Sequence, residues 1–143
     1  MRPIEINGQG MRLEEFQNTS GLTVKGDINL ACCTGLTSLP GNLTVEGPLN
    51  LTGCTGLTSL PDNLTVWGGL YLGGCPGLTN IYRGGNDRRG YRFYGVKLKN
   101  GYRVIAGCRN FGAEGARRHW VENPECLALA KDVIAHFKQL ETG

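Results

Sequence analysis

From Leu22 onward the chain repeats itself every 21 residues with no insertion or deletion. Leu22, Leu43 and Leu64 start the register, and Val24, Val45 and Val66 and then Gly26, Gly47 and Gly68 keep it. It continues through Ile28, Leu49 and Leu70, through Leu30, Leu51 and Leu72, and through Cys33, Cys54 and Cys75. Gly35, Gly56 and Gly77, then Leu36, Leu57 and Leu78, then Leu39, Leu60 and Ile81 complete it, with Pro40 and Pro61 in one further column. Alternation within "LTV" and within "INL", "LNL" and "LYL" has period two, which marks strands with Leu, Ile and Val inward. Gly punctuates the corners, and Pro falls where no ladder donor is needed. The expectation is an α+β chain whose residues 22–82 form a short parallel β-solenoid of three 21-residue coils. At a strand spacing of ~4.8 Å its body would be about 15 Å tall. Each coil buries its leucines only against its neighbours, so both ends need caps.

The stretch "LTSLPGNLTVEGPLNLTGCTGLTSLPDNLTVWGGLYLGGCPGLT" resembles the bacterial and phage leucine-rich repeats that carry L-P-x-x-L and an L-x-L-x-x-[NC]-x-L core. The resemblance covers Gly21 to about Ile81 and implies a solenoid of leucine-rich-repeat type and a protein-binding scaffold. It places Cys33, Cys54 and Cys75 at the inward Asn/Cys position. Some effectors of that family add a ubiquitin-ligase domain with a Cys-x-Asp nucleophile. No Cys-x-Asp occurs in this chain, so that activity is not implied.

Three of the six cysteines thus share one column, and Met1 to Gly10 carries no apolar core of signal-peptide length. Reduced thiols packed as small apolar groups are expected in that column. Three identical ligands stacked in a line do not make a tetrahedral metal site. Cys32 breaks the pattern and is expected as an exposed free thiol. No run of residues is long and apolar enough to span a bilayer, and a cytoplasmic protein is the expectation.

Outward columns tell where a partner could bind. Thr23, Thr44 and Thr65 form a uniform ladder, whereas Lys25, Glu46 and Trp67, and Asn29, Asn50 and Tyr71, change at each repeat. Only the third repeat places large aromatics outward. Trp67 and Tyr71 are read either as interface anchors or as contacts under the C-terminal module.

Residues 1–21 read as an N-terminal cap, with a strand at Ile4 to Ile6 and an amphipathic helix from Met11 to Asn18. After Tyr82 the period stops, and residues 83–90 read as a Gly-rich linker. Residues 91–143 read as a basic module of one β-hairpin and two helices. Asn100-Gly101 suggests a type I′ turn pairing Val96 with Ile105, Lys97 with Val104 and Phe93 with Cys108. Tyr94, Val96, Leu98 and Ile105 then share one face. "GAEGARRHW" reads as a short helix from near Gly112. Asn123 caps a second one that opens with Pro124 and carries Leu127, Ala130, Val133, Ile134, Phe137 and Leu140 at helical spacing. The segment "GYRFYGVKLKNGYRVIAGCRNFGAEGARRHW" resembles a "GCRxF…HW" tail of small phage and bacterial proteins. That resemblance implies an inhibitor of a host defence complex, of the anti-CRISPR kind.

Charge is asymmetric. Arg2, Arg12 and Lys25 face six acids up to Tyr82, whereas Arg83 to Trp120 holds ten cations and only Asp87 and Glu114. Such a balance speaks to partners rather than fold. The expected contact surface is Trp67, Tyr71, Arg88, Arg89, Arg92, Lys97, Lys99, Arg103, Arg117 and Arg118, with Arg83 and Arg109 in the same basic segment. A protein or ribonucleoprotein partner is the first reading. Direct nucleic-acid binding is the second, because Tyr82, Tyr91, Phe93, Tyr94 and Tyr102 interleave with the cations as stacking platforms do. End-to-end assembly of the repeats is a third. Cys108 and His119, with Cys126 and His136 behind them, lack an orienting group, an oxyanion site and zinc-like spacing. A non-catalytic protein without cofactor, metal or small-molecule substrate is expected.

Overall fold

A computed structural model describes residues 4–6, 8–61, 63–99 and 101–142. An N-terminal hairpin of β1 (Ile4–Ile6) and β2 (Gln9–Met11) leads into α1 (Leu13–Gln17). The repeats supply β3 (Thr23–Val24) and β4 (Ile28–Asn29), β5 (Thr44–Val45) and β6 (Leu49–Asn50), and β7 (Thr65–Val66) and β8 (Leu70–Tyr71). The C-terminal part is β9 (Tyr82–Asn86), β10 (Arg92–Leu98), β11 (Gly101–Ala106), β12 (Arg109–Phe111), α2 (Ala113–His119) and α3 (Pro124–Thr142).

These elements correct the expected fold class. The chain is mixed α/β with two antiparallel sheets, β1-β2 and β12-β11-β10-β9, and two parallel ones, β3-β5-β7 and β4-β6-β8. It is not a leucine-rich-repeat solenoid. Among the described residues each repeat gives two strands of only two residues, which enter separate sheets, and no helix. The bend at Lys25 and Gly26 and its equivalents stops every strand after Val, so the longest strands lie outside the repeats. The 21-residue step itself survives as register, since Val24 pairs with Val45 and Val45 with Val66.

The hydrogen bonds between repeats have a direction. In β3-β5-β7 the later strand donates, from Thr44 N–H to Leu22 O and from Thr65 N–H to Leu43 O. Leu64 O and Val66 O therefore end the series with no repeat beyond them. The C-terminal part answers both, through Lys99 N–H to Leu64 O (2.8 Å) and Asn110 Nδ2 to Val66 O (2.8 Å). Asn110 Nδ2 also reaches Gly68 O (3.0 Å). Arg83 donates to Leu78 O and Cys75 O at the last corner. At the other end Gln17 Oε1 accepts from Thr37 N–H and Ser38 N–H.

The cysteine column is buried at Cys54 and Cys75, and it is more than apolar filling. Cys54 Sγ donates to Leu30 O (3.1 Å) and Cys75 Sγ to Leu51 O (2.9 Å), each one repeat back. Burial pushes the Cys54 thiol up to about 11, so it stays protonated and able to donate.

The four-stranded sheet divides two cores. Tyr94, Val96, Leu98 and Ile105 face the repeats and join a core with Leu64, Leu70 and their columns. Phe93, Val104 and Ala106 face the helices and pack with Ala116, Trp120, Ala130, Val133, Ile134 and Phe137. At Gly95 a Cβ would lie 2.7 Å from the Phe137 ring, so α3 sits directly on the strand. The side chain of Leu140, expected on the same helical face, lies outside the described residues.

Two local expectations are revised. Residues 83–90 are not a plain linker, because Tyr82–Asn86 is strand β9, paired with β10. In the hairpin, Val96 pairs with Arg103, Lys97 with Tyr102 and Phe93 with Ala106. The turn thus falls one residue early, between Leu98 and Gly101, where Lys99 N–H is drawn to Leu64 O. Asn100 lies outside the described residues. Each partner moves by two positions, so every side chain keeps its expected face.

Candidate binding cleft at the repeat–sheet junction

The third repeat and the sheet meet along a seam. Gly69 lies against the Cys108 backbone, where a Cβ would come within 2.9 Å of Cys108 Cα. The earlier repeats carry Asp27 and Pro48 in this column, so only the third can accept the sheet so closely. Asn110 holds Val66 and Gly68 on the same run of backbone. Trp67 and Tyr71 flank this seam and differ in surroundings: Trp67 is 61% exposed, whereas Tyr71 is half-buried.

Tyr71 forms one wall of a cleft of about 570 Å³. The turn after β9 contributes Asp87, Arg89 and Tyr91, the turn between β11 and β12 contributes Cys108, the start of β12 contributes Arg109, and the end of α2 contributes His119. Phe93 and Trp120 also line it. Trp120 is buried against Phe93 with ring centroids 5.0 Å apart, and His119 packs on Phe111 at 4.8 Å.

Asp87 builds the cationic wall. Its side chain is only 3% exposed. Its Oδ1 accepts from Arg89 N–H (2.9 Å) and Tyr91 N–H (3.1 Å), and its Oδ2 from Arg89 Nη2 (3.1 Å). Desolvation, the largest influence, raises its carboxyl pKa. The combined donors, Tyr91 N–H, the Arg89 guanidinium and Arg89 N–H, outweigh it and hold the pKa below the ordinary value. The same carboxylate fixes the Arg89 guanidinium 5.0 Å above the Tyr91 ring. Cys126 Sγ approaches at 4.0 Å, and its own pKa is raised, first by burial and then by Asp87.

The expected surface residues are distributed unevenly. Tyr71 and Arg89 come together in the cleft. Arg88 turns to α3, where its N–H and Nε donate to Glu125 (2.6 and 3.0 Å). Arg92 donates to Asn86 Oδ1, and Arg117 and Arg118 pair with Glu114 at 3.9 and 3.8 Å. Lys97 lies by Tyr102 and His136 along a separate groove on the helix side of the sheet. Lys99 gives its backbone N–H to the seam and is itself exposed. Arg103 is a structural residue, half-buried, with Nε and Nη2 donating to Asn110 Oδ1 and O (2.8 and 3.0 Å). Burial lowers its pKa.

Arg109, Tyr91 and His119 belong to the cleft, beyond the contact surface expected from sequence. The available signal was Asp87, an acid isolated in a basic run two residues before Arg89 and four before Tyr91, which is Asx-turn spacing. Cys108 and His119 share the cleft, yet among the described residues no hydrogen bond joins them. Among the described residues no three His, Cys, Asp or Glu side chains are placed to hold a metal ion. None of the described helices is long and apolar enough to cross a membrane.

No protein-family model, curated protein or solved structure matches this chain.

Proposed function

We propose that the chain is a non-catalytic binding protein that acts by protein–protein interaction through the face around Trp67 and the adjoining cleft. The observation that carries this reading is the exposure of Trp67, 61%, on strand-flanking backbone beside a half-buried Tyr71. A large ring held in water without internal use is what an interface anchor offers a partner. The seam bonds at Val66 and Gly68 limit the backbone freedom that such an anchor would lose on binding. No cofactor, metal or small substrate enters this reading. The tail resemblance directs the search for the partner to host defence complexes.

The test is affinity capture from a lysate of the organism's host with the wild type and Trp67→Ala. Loss of a specifically captured protein on truncation of the ring is the expected result. Equal recovery of that protein by both would overturn the proposal. The rival, direct nucleic-acid binding, predicts affinity for a bare oligonucleotide that collapses between about 50 and 200 mM salt.

A further inference from the structure

Resting on that reading, we propose that the cleft of Tyr71, Arg89, Tyr91 and Arg109 receives a short acidic segment of the protein partner. A carboxylate would sit between the two guanidinium groups, with an apolar or aromatic side chain against the tyrosines. Arg89 spends one side-chain bond on Asp87 and keeps further N–H donors, since a guanidinium carries five. Arg109 is exposed and makes no ion pair among the described residues. The acid in the cleft, Asp87, is buried and already accepts three hydrogen bonds, so it turns little negative charge outward. Arg89 is also held in place by Asp87 and Tyr91, which lowers the entropy lost when it grips a carboxylate.

The surroundings favour a short acidic peptide over a nucleic acid. A neighbouring depression of about 620 Å³ shares Asp87, Arg89 and Asn123 with the cleft and is lined by Glu122, by Glu125 and by Arg88, whose charge Glu125 already pairs. A phosphate chain leaving the cleft that way would run against these carboxylates. Elsewhere Arg117 and Arg118 are opposed by Glu114, and Lys97 is on the helix side of the sheet. The cations outside the cleft are thus in part paired with acids and in part on the other side of the sheet, whereas single-strand binding calls for cations that follow the backbone.

Calorimetric titration of the full chain with a short capped peptide of alternating glutamate and tyrosine tests this. The same peptide with glutamine for glutamate and an oligothymidylate serve as comparisons. The acidic peptide should bind at least about tenfold more tightly than either, and Arg109→Ala should weaken it by about tenfold. Lys97→Ala should leave its affinity unchanged. Absence of binding, equal binding of the glutamine peptide, or tighter Arg109-dependent binding of the oligothymidylate would each overturn the assignment. In the capture experiment the acidic peptide in excess should displace the partner. Capture lost with Trp67→Ala yet indifferent to Arg109→Ala and to the peptide would sink the cleft assignment and leave the Trp67 face standing. Capture indifferent to all of these would sink both.

Discussion

Cys32 carries φ +61°, a left-handed backbone conformation, in a column where the next two repeats have Gly53 (+76°) and Gly74 (+68°). A side chain there costs about 1–2 kcal/mol, against about 0.5–1 kcal/mol of extra chain entropy that Gly brings to the unfolded state. Cys32→Gly should therefore raise stability by about 0.5–1 kcal/mol, seen as a higher urea midpoint with unchanged slope. A lower midpoint would show that the thiol contributes packing that outweighs the strain. Asp87 gives a pH prediction. Its folded pKa is depressed, so it contributes stability above the ordinary carboxylate value, which is lost as pH falls from about 4 through the folded value. Asp87→Asn should flatten that acid slope in equilibrium unfolding. Both residues were visible in the sequence, Cys32 as an exception to its column and Asp87 as a lone acid. The conformation of one and the burial of the other depend on neighbours that no local pattern names.

Asn110 is the side chain on which two elements of different origin meet. It ties β12 to the end of β7 and also accepts from Arg103. Asn110→Ala should cost about 1–3 kcal/mol, because Val66 O and Gly68 O lose a donor in a part-buried seam. Hydrogen exchange should quicken first in the hairpin and third repeat, and a loss confined to α3 would contradict this account. The faces of β10 and β11 were legible, since alternation at Tyr94, Val96 and Leu98 selects one side regardless of pairing. The pairing itself was not, because Leu98 pairs with Gly101 while Lys99 N–H bonds outside the hairpin to Leu64 O, a tertiary contact that no local turn signal carries. Strand β9 hid for a related reason. Its sequence, YRGGN, has little strand propensity, but Gly84 and Gly85 let Val133 and Leu129 of α3 approach.

At the scale of the molecule, the periodic residues yielded the inward columns and the 21-residue register, while the fold class drawn from them was wrong. Identical columns fix which residues stack, but not how long each strand runs or whether a separate sheet covers them. The cleft was partly legible for the same reason: Tyr71 and Arg89 stood out by type, and their meeting depends on the seam. The sheet seals the third repeat by backbone bonds and by Val96, Leu98 and Ile105. A chain ending at Ile81 should accordingly lose cooperative unfolding and self-associate, as checked by circular dichroism and sizing. A monomer with the full-length midpoint would show that the repeats need no cover. Lys99 and Asn110 address main-chain carbonyls of the third repeat, and Gly69 clears the space for the Cys108 backbone, so the joint belongs to that repeat alone. Tandem duplication of the middle unit would then carry the Trp67 edge outward by one rung, about 4.8 Å, with the docking joint intact. The protein's reach is thereby adjustable by copy number, independently of what its business end grips.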